Sequence, residues 1–551
     1  MHGRVKWAAR TVLLSIAITG GAGVHARAAW AQQAAAPGQG GAASPATSAS
    51  TPAKASDAPP PDPSGPSSDC SAKARGEGFG SRLVDAYKDH LNYWNTDAWK
   101  QPAEVRPGYP QPSVTEPPFP YSTWPIGATS DVAYSTRAAP YATPLMDALY
   151  CGPWGQWLKD SGLQFFGWLN PGANASTSNN QFRVAPGAHP LGASASLLSA
   201  GGNSPVAYDV YPNTVQLDQL TFYAQRNPDE VQTDHFDWGF RIANLFGQDY
   251  KYTFSHDILS QQYIRAHNKY GYDPVMGYVD LYFPWIAAGM NLRMGRYISI
   301  PDIEAQLAPD NLTASHSDVY AVDPYTQTGI VASIRWDKNW QTQFEFSGGN
   351  DVAAWDWREV QPTGAVCVAW TSDSGRDNIY PCFNTFNDGR YRYNNMQHPV
   401  VTWYHAFSPD GWLRNWHTDT ETYFMWERQT PNLNNPNSGP LLVNNANGAF
   451  CAANEITCTS SEYGIVNYLM YQFRPNAFLT FRNEYYNDFS GQRTGYKTQY
   501  SEHFIGVTWW IGDVITIRPG LRIDASYNVP AFDNGHRYFQ FTAETDMIFH
   551  Y

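Results

Sequence analysis

The stretch Tyr538-Phe539-Gln540-Phe541-Thr542-Ala543-Glu544-Thr545-Asp546-Met547-Ile548-Phe549-His550-Tyr551 decides the fold. Phe541, Ala543, Thr545, Met547, Phe549 and Tyr551 fall on one side of an extended chain. Gln540, Thr542, Glu544, Asp546 and His550 fall on the other, with Ile548 the exception. Side chains of a strand point alternately to two faces, so this pattern predicts a strand with one mostly apolar and one polar face. It closes on Phe549-x-Tyr551, an aromatic ending of the kind found on the last strand of outer-membrane barrels. An edge strand of a soluble β domain would alternate in the same way but gives no reason for the aromatic ending.

Working outward, the same period of two recurs from Leu163 onward. Leu220, Phe222 and Ala224 alternate with Gln219, Thr221, Tyr223 and Gln225, and Phe236, Trp238, Phe240 and Ile242 with His235, Asp237, Gly239 and Arg241. Val279 and Leu281 flank Asp280, Leu292 and Met294 flank Arg293, and Phe344 and Phe346 flank Glu345. Phe481 and Tyr485 oppose Arg482 and Glu484. Ile515, Ile517, Leu521 and Ile523 oppose Arg518, Arg522 and Asp524. Pro519 interrupts that last pattern, because proline removes a ladder donor. Less cleanly patterned strands are expected at residues 400–407, 418–428 and 465–473. Short links alternate with long ones, the long ones near residues 170–214, 247–274, 300–328, 349–399, 429–464, 487–500 and 528–537. Tight turns on one side and long loops on the other are the asymmetry of a transmembrane barrel. The fold expected is therefore all-β, a transmembrane antiparallel β-barrel of about fourteen strands. If Tyr250 to Ser255 and a following segment pair as strands, the count becomes about sixteen. A soluble propeller or sandwich is the competing architecture, but its loops need not split by parity.

The start of the chain reads as an export signal over residues 1–31. Arg4, Lys6 and Arg10 precede a short apolar run from Thr11 to Val24, and Ala29-Trp30-Ala31 offers a small-x-small cleavage site, with Val24-His25-Ala26 as an earlier option. Residues 32–69 are rich in Ala, Pro and Ser and too poor in apolar side chains to offset ordering entropy, which predicts a disordered spacer. Residues 70–160 read as a periplasmic extension with short helices, one carrying Phe79, Leu83, Val84, Tyr87, Leu91 and Trp94 at helical spacing and a second near Leu145 to Leu158. Residues 161–551 form the expected barrel. The formal charge is −13, and cleavage would remove four basic residues and no acid, so nucleic acid is excluded as a main partner. Twenty-one Trp and 35 Tyr at a mean hydropathy of only −0.46 suit strands that alternate between lipid and water. Six cysteines in an exported chain point to disulfides. Cys367 and Cys382 are close in sequence, as are Cys451 and Cys458, and all four fall in expected loops. Cys70 and Cys151 are left as a third pair, though spacing alone does not fix the connectivity.

No zinc-protease, nucleophile-elbow or P-loop motif occurs. His235, on the polar side of a strand, is a candidate acid-base residue or a solvated wall residue. The polar faces carry both signs: Arg241, Arg293, Arg482, Arg518 and Arg522 against Asp280, Glu345, Glu484 and Asp524. Such charges cost little in a water-filled lumen and a great deal against lipid. They could line a channel and filter solutes by charge, or simply cross-link the interior. Met294 to Ala305 leaves a strand with apolar Ile300 and Ile303 and acidic Asp302 and Glu304. It reads either as a loop folding back to constrict the lumen or as an ordinary external loop.

Gln232 to Arg241, Met294 to Ala305, and Trp157-Leu158-Lys159-Asp160-Ser161-Gly162 leading into Gly167-Trp168 resemble the OmpL-like outer-membrane β-barrel porin family of Gram-negative bacteria. The resemblance covers about Trp154 to Tyr551. It implies an outer-membrane barrel for passive diffusion of small polar solutes, with no cofactor and no catalytic residues. The partners it implies are outer-membrane lipids and, during biogenesis, the barrel-assembly machinery. Many porins are trimers, but no oligomer interface is visible in the sequence. Two other readings stay open: a barrel enzyme, and a closed structural or adhesive barrel.

Overall fold

The computed structural model describes residues 70, 78–96, 106–110, 117–119, 143–179, 202–256, 258–264, 268–353, 360–408, 410–438 and 448–551. The expected signal and spacer lie outside the described residues. Eighteen hydrogen-bonded segments close on themselves into a ring of sixteen antiparallel strands, the larger of the two counts expected. Two walls are each made of two segments. The strands are β1 (Gln164–Phe166 continuing as Trp168–Ser176), β2 (Val215–Arg226), β3 (Asp237–Gly247), β4 (Gly271–Phe283), β5 (Met290–Ile298), β6 (Thr326–Arg335), β7 (Trp340–Asn350) and β8 (Thr363–Thr371). The second half comprises β9 (Asp377–Phe386), β10 (His398–Ala406), β11 (Trp416–Pro431), β12 (Thr457–Arg474), β13 (Ala477–Asp488), β14 (Thr498–Ile511), β15 (Ile515–Ile517 continuing as Gly520–Ser526) and β16 (Phe539–His550). β16 pairs with β1, Thr542 opposite Ser176 and His550 opposite Trp168, which leaves no open edge. The break in β15 falls at Arg518-Pro519, where the ladder lacks the proline donor. The break in β1 falls at Gly167, which exchanges backbone hydrogen bonds with Tyr551. A Cβ there would lie 2.2 Å from the Thr221 carbonyl and 2.6 Å from the Tyr551 hydroxyl, so only glycine lets the last residue seat against the first strand.

Burial is inverted relative to a soluble protein. Phe222, Trp238 and Phe346 are 45%, 45% and 66% exposed, while Gln219, Gln225 and Arg241 are 0–1% exposed. The apolar face of each wall looks outward to lipid and the polar face inward, the arrangement a membrane barrel requires. No helix among the described residues is long and apolar enough to cross a membrane.

The sixteenth-strand count comes from a different place than expected. Tyr250 to Ser255 pairs in no wall: Asp249–Tyr252 is a short 3₁₀ turn. The two additional strands are β8 and β9, inside what reads in sequence as one long loop. Between Thr363 and Thr371 at its ends, the inward side chains of β8 are Ala365, Cys367 and Ala369, apolar like the outward Val366 and Trp370, so the polar alternation that marks the other walls is missing. Pro381 further disguises β9. Inserting a hairpin keeps the parity of most links: long ones at residues 177–214, 248–270, 299–325, 351–362, 387–397, 432–456 and 527–538, shorter ones between, with 489–497 no longer than 227–236 or 407–415 at the other end. It also moves a staple. Cys367 and Cys382 are cross-strand partners in β8 and β9, not loop residues. Cys458 lies in β12 and bonds Cys451 in the preceding loop, and Cys70 bonds Cys151.

The extension forms α1 (Phe79–Leu91), α2 (Pro144–Tyr150) and α3 (Gly155–Ser161). The single helix expected near Leu145 to Leu158 is thus two, divided at residues 151–154. Thr143 caps α2 by accepting from the Met146 N–H at 3.2 Å. α1 meets the barrel at the short-turn end. Tyr87 stacks on Phe549 of β16 at 5.4 Å, and the Trp94 indole donates to the Gly512 carbonyl at 2.8 Å. His90 lies between Asp147 of α2 and Asp513 of the β14–β15 turn, at 3.1 and 2.8 Å. The face that packs centres on Ala86 and His90, while Phe79, Val84 and Leu91 stay exposed.

Candidate functional site: the loop-filled lumen

The loop from β5 to β6, residues 299–325, turns inward and is buried along nearly its whole length. Its first residues, Ile300 and Ile303, supply the apolar contacts that a polar lumen lacks. The wall holds it through arginines and acids of β12 to β16. Arg482 of β13 donates from Nε to both Glu502 oxygens at 2.9 and 3.0 Å, and from Nη1 to the Ser315 carbonyl at 2.6 Å. Arg522 of β15 pairs with Asp524 at 2.7 Å and with the loop's Asp318 at 2.9 Å. Arg518 donates to the Ala308 and Asn311 carbonyls at 2.6 and 2.8 Å, and to Asp546. Glu484 receives the N–H groups of Asp318 and Val319, each at 2.7 Å, and so completes the first turn of the short helix Asp318–Ala321. Glu304 accepts from the Tyr468 hydroxyl at 2.7 Å and sits 3.6 Å from Arg482.

The residues singled out from sequence divide into two groups. Arg482, Glu484, Arg518, Arg522 and Asp524 gather with Glu304 around the inserted loop. Arg241, Asp280, Arg293 and Glu345 face the interior elsewhere. Arg293 pairs with Asp280 at 3.1 Å, and Arg241 donates to Gln225 at 2.9 Å. Glu345 is buried on β7 with neither carboxylate oxygen hydrogen-bonded. Asp302 stands apart from the arginines, beside Asp323 of the loop's far end and Glu421 of β11. Asp323, Asp318, Glu421, Glu502 and Asp546 were missed as site residues. Glu421 lies on one of the poorly patterned strands, and the loop acids carry no periodicity to mark them.

His235 is not in the lumen. It is exposed in the link between β2 and β3, 2.9 Å from Asp234, so the wall position expected for it is overturned. A cavity of about 20 Å³, room for one water, lies between loop and wall, lined by Ile303, Glu304, Asn311, Leu312, Asp419, Tyr468 and Met470. A second, of about 10 Å³, touches Asp209, Asp218, Asp249 and Asp546.

Residues 162–551 match the family model described as "Putative beta-barrel porin-2, OmpL-like". No curated protein matches the chain. Among solved structures, the anion-selective porin from Comamonas acidovorans is 8% identical, with 71% of this chain and 99% of that one covered and a TM-score of 0.39. The outer membrane channel DcaP of Acinetobacter baumannii is 9% identical, with 71% and 97% covered and a TM-score of 0.40. OmpT of Vibrio cholerae, in trimer form, is 8% identical, with 71% and 99% covered and a TM-score of 0.39.

Proposed function

We propose that this chain, which belongs to the OmpL-like β-barrel porin family, is a narrow, cation-preferring diffusion channel of the Gram-negative outer membrane rather than an enzyme, exported by removal of residues 1–31. Residues 299–325 act as the constriction past which small polar solutes move. The observation that carries this reading is the loop's burial inside the barrel together with the charge it leaves there. The arginines along β13 to β15 are each engaged by acids or loop carbonyls. Asp302, Glu421 and Glu345 have no Lys or Arg in ion-pair range among the described residues. Any of these carboxyls that is ionised adds negative charge beside the pore, and a low-dielectric wall focuses it, attracting cations and repelling anions.

The test is single-channel recording of the refolded mature chain in a planar bilayer under a KCl gradient. Small stepwise currents with a reversal potential on the cation side are expected. Glu345→Gln should move that potential toward zero. Anion preference would overturn the selectivity, and a folded barrel that carries no current would favour a closed structural barrel.

A further inference from the structure

We propose that Asp302, Asp323 and Glu421 bind one divalent, oxygen-preferring cation, of which Ca²⁺ is the type, and that this ion clamps both stems of the inserted loop to the wall. One carboxylate oxygen from each of the three lies within 4.8 Å of the other two, and all three residues are buried. Asp302 follows the end of β5, and Asp323 precedes the start of β6. Glu421 comes from β11, five strands further round the wall from β6. A single ion would therefore join the two ends of the loop to each other and to a distant strand of the wall.

Three carboxylates alone would not make a site, but two further observations point to a ligand. No N–H or hydroxyl donor reaches either carboxyl oxygen of Asp302 or of Asp323, whose carboxyls meet each other, although each residue is only 1% exposed. Buried carboxylates normally find donors, and an unpaired buried charge is costly. The second concerns His398 of β10, also fully buried. Its Nδ1 lies 3.1 Å from Asp323 Oδ1, yet that oxygen receives no hydrogen bond. The Asn384 side-chain amide lies 3.2 Å from the same Nδ1. In the Nε2–H tautomer Nδ1 presents its one lone pair beside that oxygen, and the Asn384 amide and the ion are alternative partners for it. Two acceptors about 3 Å apart are what adjacent ligands of one ion at Ca²⁺-like bond lengths present. The donor set is mainly hard oxygen, which favours Ca²⁺ over thiophilic metals. Glu421 Oε2 is oriented by the Ile303 N–H at 2.9 Å, the residue next to Asp302. The inference does not rest on conduction: a barrel that passed no current would still hold the ion.

The test is calorimetric titration of Ca²⁺ alone into the full mature chain, refolded in detergent and stripped with EDTA, with barrel folding checked by circular dichroism. The expected result is one saturable site with a dissociation constant on the order of 10⁻⁵ M. Affinity should fall by roughly thirtyfold or more in Asp302→Asn/Asp323→Asn and in Glu421→Gln, whereas Asp410→Asn in an exposed turn should match the wild type. Absence of saturable uptake by the wild-type chain, or wild-type affinity in the folded variants, would overturn the site. If the variants do not fold, hydrogen exchange of residues 299–325 in the wild-type chain decides. Protection that rises with Ca²⁺ supports the clamp, and protection indifferent to Ca²⁺ overturns it.

Discussion

Raising the pH should release α1 from the barrel, and the size of the effect follows from the surroundings of His90. Its side chain is 3% exposed, with Asp147 Oδ2 3.1 Å from Nε2 and Asp513 Oδ1 2.8 Å from Nδ1. Burial works against the charged ring. The hydrogen bonds and charges of the two carboxylates outweigh it and push the imidazole up from 6.5 to about 9. Both groups lie outside the membrane-spanning strands. A histidine whose docked pKa exceeds its undocked value contributes stability that is complete below the undocked value and lost as pH rises through the docked one. Docking should therefore be strongest below about pH 6.5 and weaken by about 1.4 kcal/mol per unit toward pH 9, about 3 kcal/mol in all. Asp513 is also raised, by its own burial with His90 pulling back, and so favours the acid side as well. The assay is hydrogen–deuterium exchange of Phe79–Leu91, corrected for intrinsic rates. Protection should fall by roughly two orders of magnitude across that window, and His90→Gln should remove the slope. Flat protection in the wild-type chain, or an equal slope in His90→Gln, would refute the argument.

Other consequences are equally direct. Glu484→Ala strips the acceptor from two buried N–H groups of the loop helix. It should destabilise the inserted loop by about 3 kcal/mol, seen as larger and noisier single-channel currents. Phe222→Arg places a charge on the lipid face near the middle of β2 and should lower barrel stability by about 2–4 kcal/mol in urea titration in lipid vesicles. Replacing Cys367 and Cys382 with Ser opens a link spanning 15 residues. For that loop the chain-entropy limit is about 3 kcal/mol. The measured loss in the same titration should be smaller, because the β8–β9 ladder already holds the two residues opposite each other.

How much of this was legible in the sequence depends on whether a residue's partner is local. A wall strand declares itself within its own ten residues, because lipid on one face and a polar interior on the other force a period of two. Phe222 beside Tyr223, or Leu521 beside Arg522, is readable without knowing any neighbour. β8 fails the same test for a physical reason. Between Thr363 and Thr371 its inward residues are Ala365, Cys367 and Ala369, so both faces are apolar and the period vanishes. The loop is harder still, since nothing within residues 299–325 says what it will meet. Asp318 finds Glu484 at a sequence separation of 166 and Arg522 at 204. That distance changes what the interior charges mean. Read strand by strand, Arg482, Arg518 and Arg522 are affordable only because a lumen holds water. In the folded chain their guanidinium groups face Glu502, Asp546, Asp318 and loop carbonyls, so they are stabilised by protein and are satisfied before any solute arrives. The charge left to act on a solute is then the uncompensated part: Glu345, and Asp302 and Glu421 while no cation is bound there. It is acidic, which is why selectivity should follow these carboxylates and not the arginines that dominate the sequence pattern.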